Sequence, residues 1–180
     1  SEKLKLYFQT SILFCVLSIN LAFAQYIDSL QVNEMKKVQW LAGNWEGEGW
    51  MMMGPEEKHT FSQTETVTSK LNGLLLAIEG LGTVGESKII HNAFAVLSFD
   101  SANQKFVMRA HKADGAFTEA DAIVDDKGNF IWGFSHPYAG ELRFTIKQND
   151  KGQWYEIGEV SSDGGNSWFQ NFELLLNKVE

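Results

Sequence analysis

The sequence predicts an all-β protein, an up-and-down antiparallel barrel of about ten strands preceded by one short helix. After Gly43 the hydrophobic pattern takes a strand-like period, and turn signals such as Asn72-Gly73 and Asp114-Gly115 interrupt it regularly. Every connection after Gly54 is short. Short connections favour a meander closed into a barrel over a sandwich, whose Greek-key crossovers are longer.

The turn signals set the bounds of the predicted strands. These strands span residues 44–53, 59–71, 74–82, 88–100, 105–113, 116–125, 129–136, 141–149, 153–161 and 167–178. Before them, apolar residues from Ile27 to Leu41 recur at helical spacing, and Asp28 or Ser29 can cap the start. We therefore expect a helix within residues 25–42 that acts as a lid or plug.

The first 24 residues have the pattern of a secretory signal peptide. Lys3 and Lys5 supply the positive region, residues 12–24 are apolar, and Ala22-Phe23-Ala24 is a cleavage pattern. A membrane anchor is the alternative, but the apolar run is short for a span. We expect a signal peptide over 1–24, a helical segment over 25–42, and one barrel domain over 43–180. The expected location is the periplasm of a Gram-negative bacterium or the exterior.

Composition excludes several functions. The only cysteine, Cys15, lies in the predicted signal peptide, so the mature domain is predicted to have no disulfide and no thiol nucleophile. A formal net charge of −8 disfavours nucleic acid and anionic membrane as partners. No H-E-x-x-H motif or similar spacing occurs, and no metal site is predicted.

The alternation within the strands indicates an unusual interior. In 88–100 and 105–113, both faces of the predicted strand carry apolar residues. A barrel surrounded by water should have one polar face, so this pattern indicates either partner contacts outside or polar groups inside a pocket. We favour polar groups inside.

One motif resembles a known family. Gly43-x-Trp45 resembles the G-x-W that opens the first strand of lipocalins and their calycin relatives. The continuation W-x-G-x-G is similar to nitrobindin-like haem barrels and to an uncharacterised family of lipocalin-like bacterial secreted proteins. Further stretches resemble that uncharacterised family: residues 91–100, 108–111, 132–134, 156–159 and 163–168. The resemblance implies an internal pocket, with Gly43 allowing a tight entry and Trp45 closing one barrel end.

The same resemblance gives a reason to predict no cofactor. Nitrobindin-like barrels hold haem through a histidine on a strand near the C-terminal end of the barrel. The last predicted strand region, Ser167 to Glu180, contains no histidine. Since thiolate is absent as well, we predict that no haem is bound.

The candidate ligand site centres on Arg109 and His111, which share one face of a predicted strand. If that face is the lumen, they require carboxylate partners such as Glu156, and the guanidinium would suit a ligand that bears a carboxylate. A solvent-facing cross-strand ion pair is the alternative. Aromatic and methionine side chains complete the predicted ligand contacts: Trp132, Phe134, Phe94 and Met52.

These observations favour an exported protein that binds a small apolar or amphipathic molecule inside the barrel. One alternative is a lyase or isomerase in which His111 and a carboxylate such as Glu156 perform acid/base chemistry. Another is a barrel with a filled core that serves only as an interaction module. The binding protein is preferred because no motif in the sequence specifies a reaction.

Overall fold

The barrel is closed. The structure, a computed structural model, describes residues 28–54, 57–85 and 87–180, and the predicted signal peptide with Cys15 lies outside the described residues. Ten antiparallel strands each pair with the next along the chain, and the tenth pairs with the first. The predicted fold class, an all-β up-and-down barrel with one short helix, is confirmed.

The strand bounds are close to those predicted. The chain begins with helix α1 (Ser29–Lys36) and a 3₁₀ turn (Gln39–Leu41). The strands are β1 (Gly43–Met52), β2 (Lys58–Lys70), β3 (Leu75–Val84), β4 (Lys88–Asp100), β5 (Lys105–Lys112), β6 (Phe117–Val124), β7 (Phe130–His136), β8 (Gly140–Gln148), β9 (Trp154–Ser161) and β10 (Phe169–Val179). A second 3₁₀ turn, Leu71–Gly73, joins β2 to β3.

Helix α1 covers one end of the barrel, which we call the plug end. The Asp28 carboxylate caps the helix by accepting hydrogen bonds from the backbone N–H groups of Leu30 (2.9 Å) and Gln31 (3.1 Å). Met35 of this helix and Val38 just after it are fully buried. No helix among the described residues is long and apolar enough to cross a membrane.

Tryptophans fill the plug end. Trp45 is fully buried, and its indole Nε1 donates to the Leu41 carbonyl oxygen at 2.8 Å. Trp40, Trp45 and Trp154 meet edge to face, with ring centroids 5.8 to 6.4 Å apart. The plug and the barrel therefore share one aromatic cluster.

Gly43 explains the first half of the G-x-W motif. Its φ of +136° lies in a region that side-chain-bearing residues rarely adopt. A Cβ at this position would also lie 2.5 Å from Cε of Lys178. Only glycine lets β1 begin here and place Trp45 inside.

Side chains alternate between the lumen and the outer face. The burial pattern shows that odd-numbered residues of β1, β2 and β4 face inward. On β3 and on β5 through β10 the even-numbered residues do so. Because the side-chain period of a strand is two, this assignment gives the lumen positions away from the register shifts at Gly82/Thr83 and Gln170/Phe172.

The junction of β6 and β7 is the shortest in the barrel. These strands pair only through Ala122–Val124 and Phe130–Trp132, three residue pairs. Within these fully described strands, residues 117–121 and 133–136 have no pairing partner across the junction. A groove of about 420 Å³ lies at this junction, bordered by Ile123, Ile131 and Trp168 among others.

Replacing Trp45 with phenylalanine tests how much the plug stabilises the barrel. Trp45→Phe removes the hydrogen bond to Leu41 and leaves a void among fully buried neighbours, so we expect the free energy of unfolding to fall by about 2–4 kcal/mol in urea titration. Trp50→Phe, on the outer face of β1, is the matched control and should cost less than about 1 kcal/mol. Equal losses in the two variants would contradict a plug role for Trp45.

Candidate functional site

The candidate site is the barrel lumen, which has two contrasting walls. One wall, formed by β3 to β6, presents small side chains to the interior. We call it the small-residue wall, and its members are Gly80, Gly82, Ala93, Ala95, Ala110 and Ala120. Methyl groups face the interior from β4 to β6, while the two glycines of β3 lie beneath side chains of β2.

The opposite wall is aromatic. Trp132, Phe134 and Phe144 of β7 and β8 stack with ring centroids 4.7 to 6.5 Å apart. Phe172 continues the row at 6.0 Å from Phe144, and Phe61 lies 5.8 Å from Phe172. We call this row the aromatic wall. Four of its five rings face inward yet are only partly buried, as expected for side chains that line a space rather than fill a core.

Glu65 of β2 is the first of two buried carboxyl groups in the lumen. It is 9% exposed, and its Oε1 accepts a hydrogen bond from Nε2 of Gln63 at 2.6 Å. The carboxyl group lies directly over Gly80, where a Cβ would come within 2.7 Å of Oε1. The Gln63 side chain lies over Gly82 in the same way, at 2.6 Å. The two glycines make the room that these polar side chains occupy.

Glu156 of β9 is the second buried carboxyl group. It is 8% exposed, and its Oε2 accepts a hydrogen bond from Nε1 of Trp154 at 3.1 Å. Trp154 belongs to the tryptophan cluster of the plug end, so the position of this carboxyl group depends on the plug.

Burial shifts both carboxyl groups toward the protonated form. It raises the pKa of Glu65 to about 8, with repulsion from Glu156 acting in the same direction and the hydrogen bond from Gln63 acting against it. Burial raises the pKa of Glu156 to about 7. Among the described residues, no lysine or arginine forms an ion pair with either group. The two acids in the lumen therefore have no counter-ion among these residues.

His91 of β4 also faces inward, beside Gly82, where a Cβ would lie 3.1 Å from Cβ of His91. Burial lowers the pKa of His91, with the nearby positive charge of Lys112 acting in the same direction. The imidazole is thus favoured in its neutral form. The buried polar residues of the lumen, Gln63, Glu65 and Glu156, are acidic or neutral, while Lys112 and Lys178 share the inward parity but are exposed at the strand ends.

Three of the predicted ligand contacts face the lumen. Trp132 and Phe134 belong to the aromatic wall, and Glu156 is one of the two buried carboxyl groups. The structural pair Gly43 and Trp45 occupies the positions expected from the G-x-W resemblance.

The prediction that Arg109 and His111 anchor a ligand inside the barrel is wrong. On β5 the inward residues are Phe106, Met108 and Ala110, so Arg109 and His111 point outward. Arg109 makes a solvent-exposed ion pair with Glu119 at 2.8 Å, the alternative described above. The wall of the barrel separates His111 from Glu156, and the acid/base pair suggested for a lyase or isomerase does not exist.

Phe94 and Met52 also lie on the outer face. Phe94 is 42% exposed and is the register partner of His111, whose ring lies 4.9 Å from that of Phe117. Met51, rather than Met52, faces inward from β1 and packs against the core. Both residues were predicted from their side-chain type, and the parity of their strands places them outside.

Gln63 and Glu65 were missed by the sequence interpretation. In their strand, β2, serines and threonines occupy the outer face, and polar residues also interrupt the inner face. Neither face was therefore apolar throughout. The available signal was on the neighbouring strand, where Gly80 and Gly82 alternate within β3. Glycines spaced by two in a strand indicate that something approaches the backbone closely on one face.

Within residues 28–54, 57–85 and 87–180, no three histidine, cysteine, aspartate or glutamate side chains lie close enough together to hold a metal ion.

The fold and the lumen define a closed antiparallel barrel compatible with binding a small molecule, and the structural comparison agrees with the barrel fold. The model of a family described as a protein of unknown function, DUF1579, matches residues 32–111, from the plug helix to the end of β5. The crystal structure of Rv2717c from M. tuberculosis is similar, with a TM-score of 0.59 and 9% sequence identity. That match covers 86% of this chain and 100% of the other, and at this identity it speaks for the fold alone. No curated protein matches the sequence.

The buried carboxyl groups predict an unusual dependence of stability on pH. An acid whose pKa is higher in the folded than in the unfolded protein binds more protons when folded. The free energy of unfolding should therefore be greatest near the ordinary glutamate pKa of 4.5 and fall as the pH rises toward 8. The fall is about 1.4 kcal/mol for each pH unit that separates the folded and unfolded pKa values.

Urea titration at pH 5.5 and pH 8.5 measures this effect. Wild type should be several kcal/mol less stable at the higher pH. Glu65→Gln and Glu156→Gln should each flatten the profile, because an amide does not ionise, while the outer-face variant Glu46→Gln should leave it unchanged. A wild-type profile that rises across this interval contradicts the burial of uncompensated acids.

Proposed function

We propose that this protein binds a small, partly apolar molecule inside the barrel, between the small-residue wall and the aromatic wall. The observation that carries the proposal is the contrast between the walls. Partly buried aromatic rings and alanine side chains line different parts of the barrel interior, and Gln63 and Glu65 cover the glycines of β3, so polar groups lie at only a few places. Small-molecule sites in proteins have this composition.

An unpaired donor in the aromatic wall supports the proposal. The Trp132 Nε1 group is buried and has no hydrogen-bond partner among the described residues. Buried N–H groups are nearly always paired, so an unpaired one in a lumen indicates an acceptor supplied by a bound molecule or by water.

Export belongs to the proposal and rests on the signal-peptide pattern of residues 1–24. When the full chain is produced in a Gram-negative host, the periplasmic fraction should contain a protein whose intact mass corresponds to residues 25–180. Recovery of the uncleaved chain from the cytoplasm contradicts this part of the proposal and leaves the lumen site untouched.

Binding in the lumen is tested with N-phenyl-1-naphthylamine, a neutral apolar probe whose fluorescence increases in an apolar site. Wild-type protein should enhance the fluorescence saturably. Ala110→Phe places a ring in the lumen from the small-residue wall, and we expect it to weaken binding at least about tenfold, because the ring occupies the space that the probe needs.

Ala77→Phe is the matched control, since Ala77 lies on the outer face of β3. It should bind the probe like wild type, and both variants should unfold cooperatively in urea. An equal effect of the two variants, or no saturable binding by wild type, overturns the proposed site.

A further inference from the structure

We propose that the ligand carries a protonated amine, which the buried carboxyl groups of Glu65 and Glu156 recognise while the aromatic wall holds its apolar body. This inference rests on the proposed function and names the chemical class of the molecule bound there. It replaces the expectation of a carboxylate-bearing ligand, which depended on Arg109, now placed on the outer face.

Each of the two buried acids has an oxygen atom that accepts no hydrogen bond from the described residues. Gln63 donates to one oxygen of Glu65, and Trp154 donates to one oxygen of Glu156. Among the described residues, no donor reaches Glu65 Oε2 or Glu156 Oε1. An ionised carboxylate can accept several hydrogen bonds, so each group retains acceptor sites for a ligand.

Neither acid forms an ion pair with a described lysine or arginine side chain. Ion pairs of the described arginine and lysine side chains are made with other acidic residues, as Arg143 pairs with Glu159 on the outer face. A buried carboxylate without a counter-ion is costly, and an ammonium group brought by a ligand relieves that cost through charge-assisted hydrogen bonds. An anionic ligand would add a further negative charge to the same space.

The aromatic wall supplies apolar surface on both strands that neighbour β9, the strand of Glu156. Phe144 and Phe172 both contact Gly158, two residues along β9 from Glu156. A Cβ at Gly158 would lie 2.8 Å from Cβ of Phe172 and 3.0 Å from Cε1 of Phe144. Aromatic rings and a carboxyl group on one inner surface suit a cation with an attached apolar group, since ring faces attract positive charge and the rings bury the apolar body.

Selectivity among three compounds of one shape tests the inference. Isothermal titration calorimetry at pH 7.5 would compare 2-naphthylmethylamine, 2-naphthylmethanol and 2-naphthoate, which share a ring system and differ in charge. We expect the amine to bind at least about tenfold more tightly than the alcohol, and the carboxylate to bind most weakly.

Variants then assign the preference to the two acids. Glu156→Gln and Glu65→Gln should each lose most of the preference for the amine while keeping the affinity for the alcohol. Glu46→Gln, an outer-face change on β1, should keep both affinities. Retained binding of the alcohol shows that a glutamine variant is folded, so a loss confined to the amine is a loss of charge recognition.

The outcomes separate this inference from the proposed function. If the alcohol binds as tightly as the amine, or if the glutamine variants keep the preference, the lumen is a binding site and amine recognition by these acids is refuted. If none of the three compounds nor the neutral fluorescent probe binds, the lumen site itself is refuted.

Discussion

Pairing of β1 with β10 is the constraint on which the rest of the structure depends. Eight residue pairs, from Asn44 with Val179 to Met51 with Phe172, join the two ends of the sheet and leave no free edge between them. Closure also sets which side chains share the lumen. Glu65 and Glu156 lie on β2 and β9, the strands that flank this closing pair, and they share one interior only because β1 and β10 are hydrogen-bonded.

The glycines near this closure have a common role. Gly80 and Gly158 lack the side chain that would otherwise occupy the place of a carboxyl group or a ring. A Cβ at Gly80 would collide with Glu65, and a Cβ at Gly158 would collide with Phe144 and Phe172. The polar and aromatic parts of the lumen are thus accommodated by the absence of side chains beneath them, and the strands keep their pairing at these positions.

The sequence predicted the number of strands, their approximate bounds and the role of Trp45, because these depend on local turn chemistry and on one motif. It did not predict which face of β5 is inside. Only Val107 is apolar on the parity of Arg109 and His111, whereas Phe106, Met108 and Ala110 make the other parity the apolar one, and this parity is inside. The expectation of polar groups inside the barrel gave the opposite assignment, and register with β4 fixes the observed one.

The same argument explains the partial success at the candidate site. Glu156 was considered as a carboxylate partner for Arg109 and His111, whereas the inward parity of β2 mixes Phe61 and Val67 with Gln63 and Glu65 and gave no clear signal. Apolar residues on both faces of 88–100 and 105–113 had favoured polar groups inside. That interpretation agrees with the structure, although the polar groups inside are carboxyl groups rather than the arginine and histidine first considered.

The junction of β6 and β7 is the part of the barrel wall that is held by the fewest residue pairs. Separating these strands breaks the hydrogen bonds of three residue pairs, whereas parting β1 from β10 breaks those of eight. Local opening costs least where the fewest bonds and contacts are lost. Trp132 lies at the end of this junction and at one side of the aromatic wall. Local opening at this junction would expose Trp132 and the aromatic wall while the plug and the closing pair stay in place.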